Sequence, residues 1–486
     1  MAYRYGDDRK QMMLFPESID QYINAEHPVR AYDAFVDALD FAQLGIVINA
    51  RKVGNSAYDP RLMLKLLLYG YSYGVKSSRK IERELYNNLS FIWLMKNVKP
   101  DHKTIAEFRR NNKAALKKAL KLCARLCLKL GLIEGNILFV DSTKLWANAG
   151  KAHQHDKKWY QKHLIKVDQR IQKLLAACEK TDQREAHQAS LVAMPEELRK
   201  QAHLKASIES ALAELDQTSE RTKEGQLRQA NRVDPESRQM KSPQGTHPAY
   251  AVQSVVDDKH GLIVHVDTVN DGNDSAQLSD QIQGAQETLK HACQIACADA
   301  GYANIEEIEK VESEQCAVLV PSQRQASQKP SGPFDKCHFV YNPDEDCYYC
   351  PENERLIFRR FQDKGKRKRD YRIEKAATCR ACRHFGACTK SNQGRTVVRH
   401  VLETLKEEVE QRYEQPEMRA IYEQRKARVE HPFGYIKKVL GFRQFSLRGQ
   451  SGAGAEASLL ATCFNLTRMI SLTGGVAPLI EKLASV

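Results

Sequence analysis

The sequence predicts an α/β protein: a mixed sheet broken by two insertions and preceded by an all-helical segment. Three observations carry this. Short apolar runs of strand length, residues 137–141 and 294–299, each end in aspartate and alternate with segments of helical period. A stretch rich in Lys, Gln and Glu, residues 150–245, separates the first strand from the next, with apolar residues at helical spacing. A Pro-, Cys- and charge-rich stretch, residues 330–395, interrupts the chain again before a final helical region.

In chain order, residues 1–135 read as a helical N-terminal domain. Pro60 stands at a plausible first helical position, Gly70 and Gly74 are expected to break that helix, and Ser77 is a candidate cap for the next. Asp101 opens what reads as one longer helix, with Ile105, Phe108, Leu116, Leu120, Cys127 and Leu130 on its apolar side. Short helices with basic outer faces suit a DNA-binding helix-turn-helix module, and a plain helical bundle with solvated lysines equally. Residues 136–486 read as the α/β domain. Its first strand, 137–140, ends at Asp141, and the 150–245 insertion reads as a helical hairpin split at Met194-Pro195-Glu196. Strands at 249–256 and 262–269 form a hairpin around 257–261. A helix near 275–291, a strand ending at Asp299, a helix near 305–313 and a strand at 317–320 follow. That order fits an RNase H-like sheet with a large insertion after its first strand.

Composition narrows the function classes. The formal net charge is +14 and the pI about 9.1, an excess that favours polyanionic partners through counterion release. Nothing reaches the ~18 uninterrupted apolar residues of a membrane span; residues 453–472 come nearest, broken by Glu456, Asn465 and Arg468. Residues 1–8 lack the apolar run of a secretion signal, so a cytoplasmic protein is expected. There are 13 cysteines, an odd number; those in apolar runs, such as Cys123 and Cys127, read as buried thiols rather than disulfides.

Asp141, Asp299 and Glu430 form the constellation with most chemistry in it. Two stand at strand ends and the third on the late helix. Phosphodiester transfer needs an oxygen-rich site for hard cations, and three carboxylates are a usual minimum for holding two Mg²⁺ ions. Lys426 lies four residues before Glu430 and Lys437 seven beyond, which on a regular helix sets all three on one face. Pro432 is expected to kink that helix just after Glu430.

These segments resemble a known family. Val140-Asp141-Ser142-Thr143-Lys144, Ala298-Asp299-Ala300-Gly301-Tyr302 and Val429-Glu430-His431-Pro432-Phe433-Gly434 with Ile436-Lys437 are similar to the three carboxylate motifs of insertion-sequence DDE transposases. Thr246-His247, Asp258-Lys259-His260-Gly261, Asn270-Asp271-Gly272-Asn273-Asp274, Tyr58-Asp59-Pro60, Asp101-His102-Lys103-Thr104 and Phe108-Arg109 fall where that family has similar short motifs. In related transposases Tyr, Arg, Glu and Lys recur on the late helix. Here Glu430 and Lys437 fit, Tyr422 and Arg425 each stand one residue early, and Lys426 occupies the arginine position. The resemblance implies an RNase H-like catalytic core in which Asp141, Asp299 and Glu430 bind two Mg²⁺ or Mn²⁺ ions. It implies cleavage at the terminal inverted repeats of a mobile element, transfer of the 3′-hydroxyl to target DNA, and a homodimer in the synaptic complex. DNA contact is assigned to Lys437, Lys426 and Arg425, and to Arg367, Lys368 and Arg369 of the basic run 359–372. Two other functions stay open: a non-catalytic DNA-binding protein derived from a transposase, and a metal-dependent nuclease without strand transfer.

Cys347 and Cys350, then Cys379 and Cys382, form two Cys-x-x-Cys pairs, with Cys388 six residues on. Pair symmetry selects the first four as ligands of one Zn²⁺; the resemblance implies Cys350, Cys379, Cys382 and Cys388 instead.

Overall fold

The computed structural model describes residues 18–46, 58–184, 196–221, 225–327 and 330–485, without the side chains of 178–184. The N-terminal helices are α1 (Pro28–Asp37), α2 (Phe41–Leu44), α3 (Pro60–Ser72), α4 (Ser78–Asn87), α5 (Leu89–Leu94), α6 (His102–Asn111) and α7 (Lys113–Lys129). Pro60 opens α3 behind Asp59, whose side chain accepts from the Arg61 amide. Gly70 does not break α3. A Cβ there would meet the Val75 carbonyl at 3.2 Å and Ile81 Cδ1 at 3.3 Å, so glycine instead admits the return of the chain against the helix. The single helix expected after Asp101 is two. Asn112 leaves the helical region (φ −109°, ψ 30°) and its side chain bonds the Phe108 carbonyl, so α6 stops and α7 starts afresh.

The sheet begins with β1 (Ile137–Trp146); β2 (Gln154–Asp156), α8 (Lys157–Arg184), α9 (Glu196–Asp216) and β3 (Gln229–Asn231) follow. β2 and β3 pair antiparallel and close the base of the helical hairpin. The hairpin has its own small core: Val167 of α8 against Ile208, Ala211 and Leu215 of α9. The main sheet resumes with β4 (Arg238–Ser242), β5 (Gly245–Asp257), β6 (Ile263–Val269), then α10 (Leu278–Leu289), β7 (Ile295–Cys297), α11 (Ile305–Ser313) and β8 (Ala317–Leu319). Its order is β4-β5-β1-β7-β8, with β6 also on β5. β1 runs antiparallel to β5 and parallel to β7, and β7 parallel to β8, so the expected mixed α/β sheet is present.

After α12 (Gln323–Ser327), the Cys-rich segment folds as a separate five-stranded antiparallel sheet: β9 (Val340–Asn342), β10 (Cys347–Tyr349), β11 (Arg355–Phe361), β12 (Lys368–Ile373) and, beyond α13 (Ala376–Ala381), β13 (Thr396–His400). The chain ends with α14 (Glu403–Glu414), α15 (Pro416–Gly434), a π-helical turn Tyr435–Val439, α16 (Gln450–Leu472) and α17 (Val476–Ala484).

The segment nearest in sequence to a membrane span is α16, and it is buried on nearly every face in the protein core. Two of its buried polar residues are satisfied there. Glu456 accepts the Ser446 and Leu447 amides at 2.6 and 2.9 Å, and Asn465 bonds both amide and carbonyl of Ile263 at 2.9 and 2.7 Å. Among the described residues no helix is long and apolar enough to cross a membrane. One apolar cluster runs without interruption from α1 and α3 through α7 and α16 to the sheet, so the N-terminal helices share the core of the α/β part.

Candidate active site

Asp141 and Asp299 stand side by side at the point where parallel pairing ends. β1 and β7 pair last at Phe139 and Cys297, and each aspartate lies two residues beyond. β1 does not end at Asp141 as the sequence suggests: its other edge stays paired with β5 as far as Trp146 and Ala249, and only β7 stops. Asp299 then caps a 3₁₀ turn, accepting the Gly301 amide at 2.8 Å, and Asp141 accepts the Ser142 amide at 2.8 Å. Burial pushes the Asp141 carboxyl up to about 6; Asp299 and Asp274 push the same way, against the Ser142 amide and Arg425.

Phe139, Asp141 and Thr143 project from one face of β1, by the two-residue alternation of a strand. α15 and the π turn lie over that face. Val429 joins Phe139 in one apolar cluster. Arg425 reaches Asp141 with Nη1 3.6 Å from the carboxylate, and Lys437 Nζ donates to the Thr143 hydroxyl. Burial, then Arg443, pulls the Lys437 ammonium below its ordinary value, with Asp141 opposing. Glu430 points elsewhere: its side chain is 63 % exposed and its ion-pair contact is Lys426, at 4.0 Å. The sequence reading placed Lys426, Glu430 and Lys437 on one face by counting a regular helix. The helix instead continues through Pro432, and the wider π turn Tyr435–Val439 resets the register before Lys437. Before that turn, Lys426 and Glu430 share an exposed face of α15, and Arg425, off-register in sequence, is the α15 cation that meets Asp141.

One feature of this region escaped the sequence reading. Gln253 lies across β1 from Ser142. Its amide donates to Asp274 at 2.7 Å and its carbonyl accepts the buried Tyr302 hydroxyl. This relay ties the loop after β6 to the 3₁₀ turn that carries Asp299. The Asn270–Asp274 run was the available signal, but nothing in it reveals the Gln253 contact.

The residues of the basic run fall on the β11–β12 hairpin. Arg367 pairs with Glu306 of α11 at 3.0 Å, which brings the hairpin tip beside the Asp299 turn; Arg369 faces Asp346 at 3.6 Å and lies over Phe361. Lys368 is exposed and in no ion pair among the described residues. Of the cysteines, Cys350, Cys379, Cys382 and Cys388 line one cavity. Cys350, Cys379 and Cys382 Sγ accept backbone amides of Glu354, Arg395 and His384 at 3.3, 3.5 and 3.5 Å. Cys347 is fully buried in β10 and its thiol faces Glu345 instead. Among the described residues no three His, Cys, Asp or Glu side chains stand gathered as a metal cage.

Residues 17–111 match the family model of a transposase domain (DUF772), and residues 349–470 match that of a transposase DDE domain. Both models describe transposases, the second a DDE domain. The second match holds Glu430, the late helices and the four cavity cysteines; Asp141 and Asp299 lie between the two matched segments. No curated protein matches it. Among solved structures it is similar to the piggyBac transposase synaptic complex with hairpin DNA, at 9% identity over 96% of this chain and 80% of that one; the TM-score, 0.34, is too low to establish a common fold.

Proposed function

We propose that the protein binds the terminal repeats of a mobile element, cleaves DNA at the element ends and joins the freed 3′-hydroxyl to target DNA. The reading takes residues 136–486 as an RNase H-like catalytic domain with insertions at 150–245 and 330–395, and residues 1–135 as the end-binding domain. The observation that carries it is the pair Asp141 and Asp299 on adjacent parallel strands, two residues beyond the last pairing, with Arg425 and Lys437 beside them.

The donor set fits hard cations. Asp141 is partly buried next to another carboxylate, a place where negative charge is under-compensated. Asp141, Asp299 and Glu430 are the residues that would hold two Mg²⁺ or Mn²⁺ ions. Bound there, such ions supply the charge neutralisation and water activation that phosphodiester cleavage needs. Lys437 presents a cation to the phosphate at the β1 edge. Arg425 neutralises Asp141 when no cation does. The hairpin around Lys368 reaches the flanking duplex. The four-cysteine cavity is the place for one structural Zn²⁺: amides already directed at three sulfurs favour thiolates. Cleaving both ends together calls for two copies of the chain on DNA.

A non-catalytic, DNA-binding derivative is the second reading, favoured by the Arg425 contact to Asp141 and by the outward Glu430. The test is incubation with a duplex ending in the element's terminal repeat, a target plasmid and Mg²⁺. Joined product supports the transposase, cut but unjoined DNA a nuclease, and binding without cutting the second reading.

A further inference from the structure

A polar cavity of about 330 Å³ opens where the N-terminal helices meet the end of β1. Lys76, Ser77 and Ser78, at the start of α4, form one wall, Asn148 and Gln444 the other, and Arg109 of α6 the floor; no acidic side chain lines it. Both walls are pinned. Gly74, at φ +70°, lets the turn before α4 sit so close to the Leu440 carbonyl that a Cβ would stand 3.3 Å from it. Asn148 donates to the Ser446 carbonyl at 2.7 Å and Gln444 to that of Ala147 at 3.1 Å. The cavity therefore lies on the same stretch of chain as Lys437, further along β1.

Two independent features point to an anion. The first-turn amides of α4 have no intrahelical acceptor, and the Ser77 side chain makes no capping bond to them. At the positive end of a ten-residue helix this is an open donor set. Separately, Arg109 is only 7 % exposed. Its Nη1 donates to the Tyr71 hydroxyl at 2.6 Å and the Lys76 carbonyl at 3.0 Å, yet its buried Nε has no hydrogen-bond partner. Glu456 lies 3.7 Å from Arg109 but already accepts from Tyr71 and from the Ser446 and Leu447 amides. Lys76, over the Phe442 ring at 4.8 Å, adds a second cation that no acidic wall residue offsets.

We propose that this cavity binds a backbone phosphate of the bound DNA away from the scissile position. Asn148, on its wall, lies seven residues beyond Asp141 in the chain, so the two places are distinct. The inference rests on the proposed function, because it assumes that the Asp141–Asp299 edge is where DNA is cut.

The test uses the full chain and a short duplex at several salt concentrations. Ser77→Glu sets a carboxylate in the mouth of the cavity without touching the core; Lys76→Met removes a cation from its wall. Each variant is expected to bind about five-fold more weakly, with the slope of log K against log salt flatter by about one. Neutral methylphosphonates placed one at a time along the duplex are expected to reveal a position outside the cut site where wild-type binding weakens and Ser77→Glu binding is unchanged. Variants with wild-type affinity and slope would overturn the cavity proposal alone. A wild-type protein that bound no duplex at all would overturn it together with the proposed function.

Discussion

Asp141 must be ionised to hold a cation, yet burial and its aspartate neighbours raise its pKa to about 6. The sign follows directly. Below that pH the proton competes with metal; above it the carboxylate is free. Divalent-metal affinity, followed by Mn²⁺ titration, is therefore expected to be level above pH 7 and to fall about ten-fold per unit below pH 6. An affinity independent of pH between 5 and 7.5 would argue against Asp141 as a ligand. Lys437 acts on the other charge. Lys437→Ala is expected to weaken binding of a cleaved end by about ten-fold, in the range of a lost charge-assisted contact, while some chemistry survives at saturating protein; unchanged affinity in a gel-shift titration would remove Lys437 from the DNA surface. At this scale the sequence was informative where apolar runs end in acid: Asp141 and Asp299 were picked out that way, although β1 runs on to Trp146 and what ends near Asp141 is its pairing with β7. Arg425 was not picked out, because counting from Glu430 selects Lys426, which shares the face of that glutamate, and in the fold that whole face turns outward.

Elements were legible wherever period, cap and breaker agreed. The helix Ile305–Ser313 and the 249–269 hairpin were placed close to their observed bounds. Asn112 and Gly70 misled in opposite directions, since a lone side-chain bond ended one helix and a close backbone approach, rather than a helix stop, explained the other. The small sheet of residues 340–400 was read only as an insertion: its strands are short, and its core is a tyrosine cluster around Tyr348 and Tyr371. With so few apolar residues that core is a natural place for a metal to supply folding energy. Cys379→Ser is expected to release one equivalent of Zn²⁺ and to raise hydrogen exchange across residues 335–392, with α16 unaffected. Cys347→Ser should retain the metal. A metal-free wild-type protein with that region fully protected would rule the zinc site out.

At the scale of the whole molecule, α16 governs what can be separated. It packs against α3, α7 and β6, so residues 1–135 contribute to the same apolar cluster as the sheet. End recognition is thus best sought in the intact chain. Wild-type protein is expected to prefer terminal-repeat duplex over random duplex at moderate salt, and charge reversal on the exposed face of α4, at Arg79 and Lys80, to erase that preference while sparing metal binding. Equal affinity for both duplexes in the wild type would move specificity away from this face. The core also bears on the proposed site: β1 and β7 are packed into the apolar clusters, so Asp141 and Asp299 can be held on neighbouring strands despite their repulsion. The most direct measurement is cleavage of end-containing DNA in Mg²⁺ by wild type and by Asp299→Ala, with binding assayed in parallel. The account predicts that the variant binds as well as wild type, or slightly better for the loss of an anion, and loses cleavage and joining altogether. Cleavage by Asp299→Ala at the wild-type rate would contradict it.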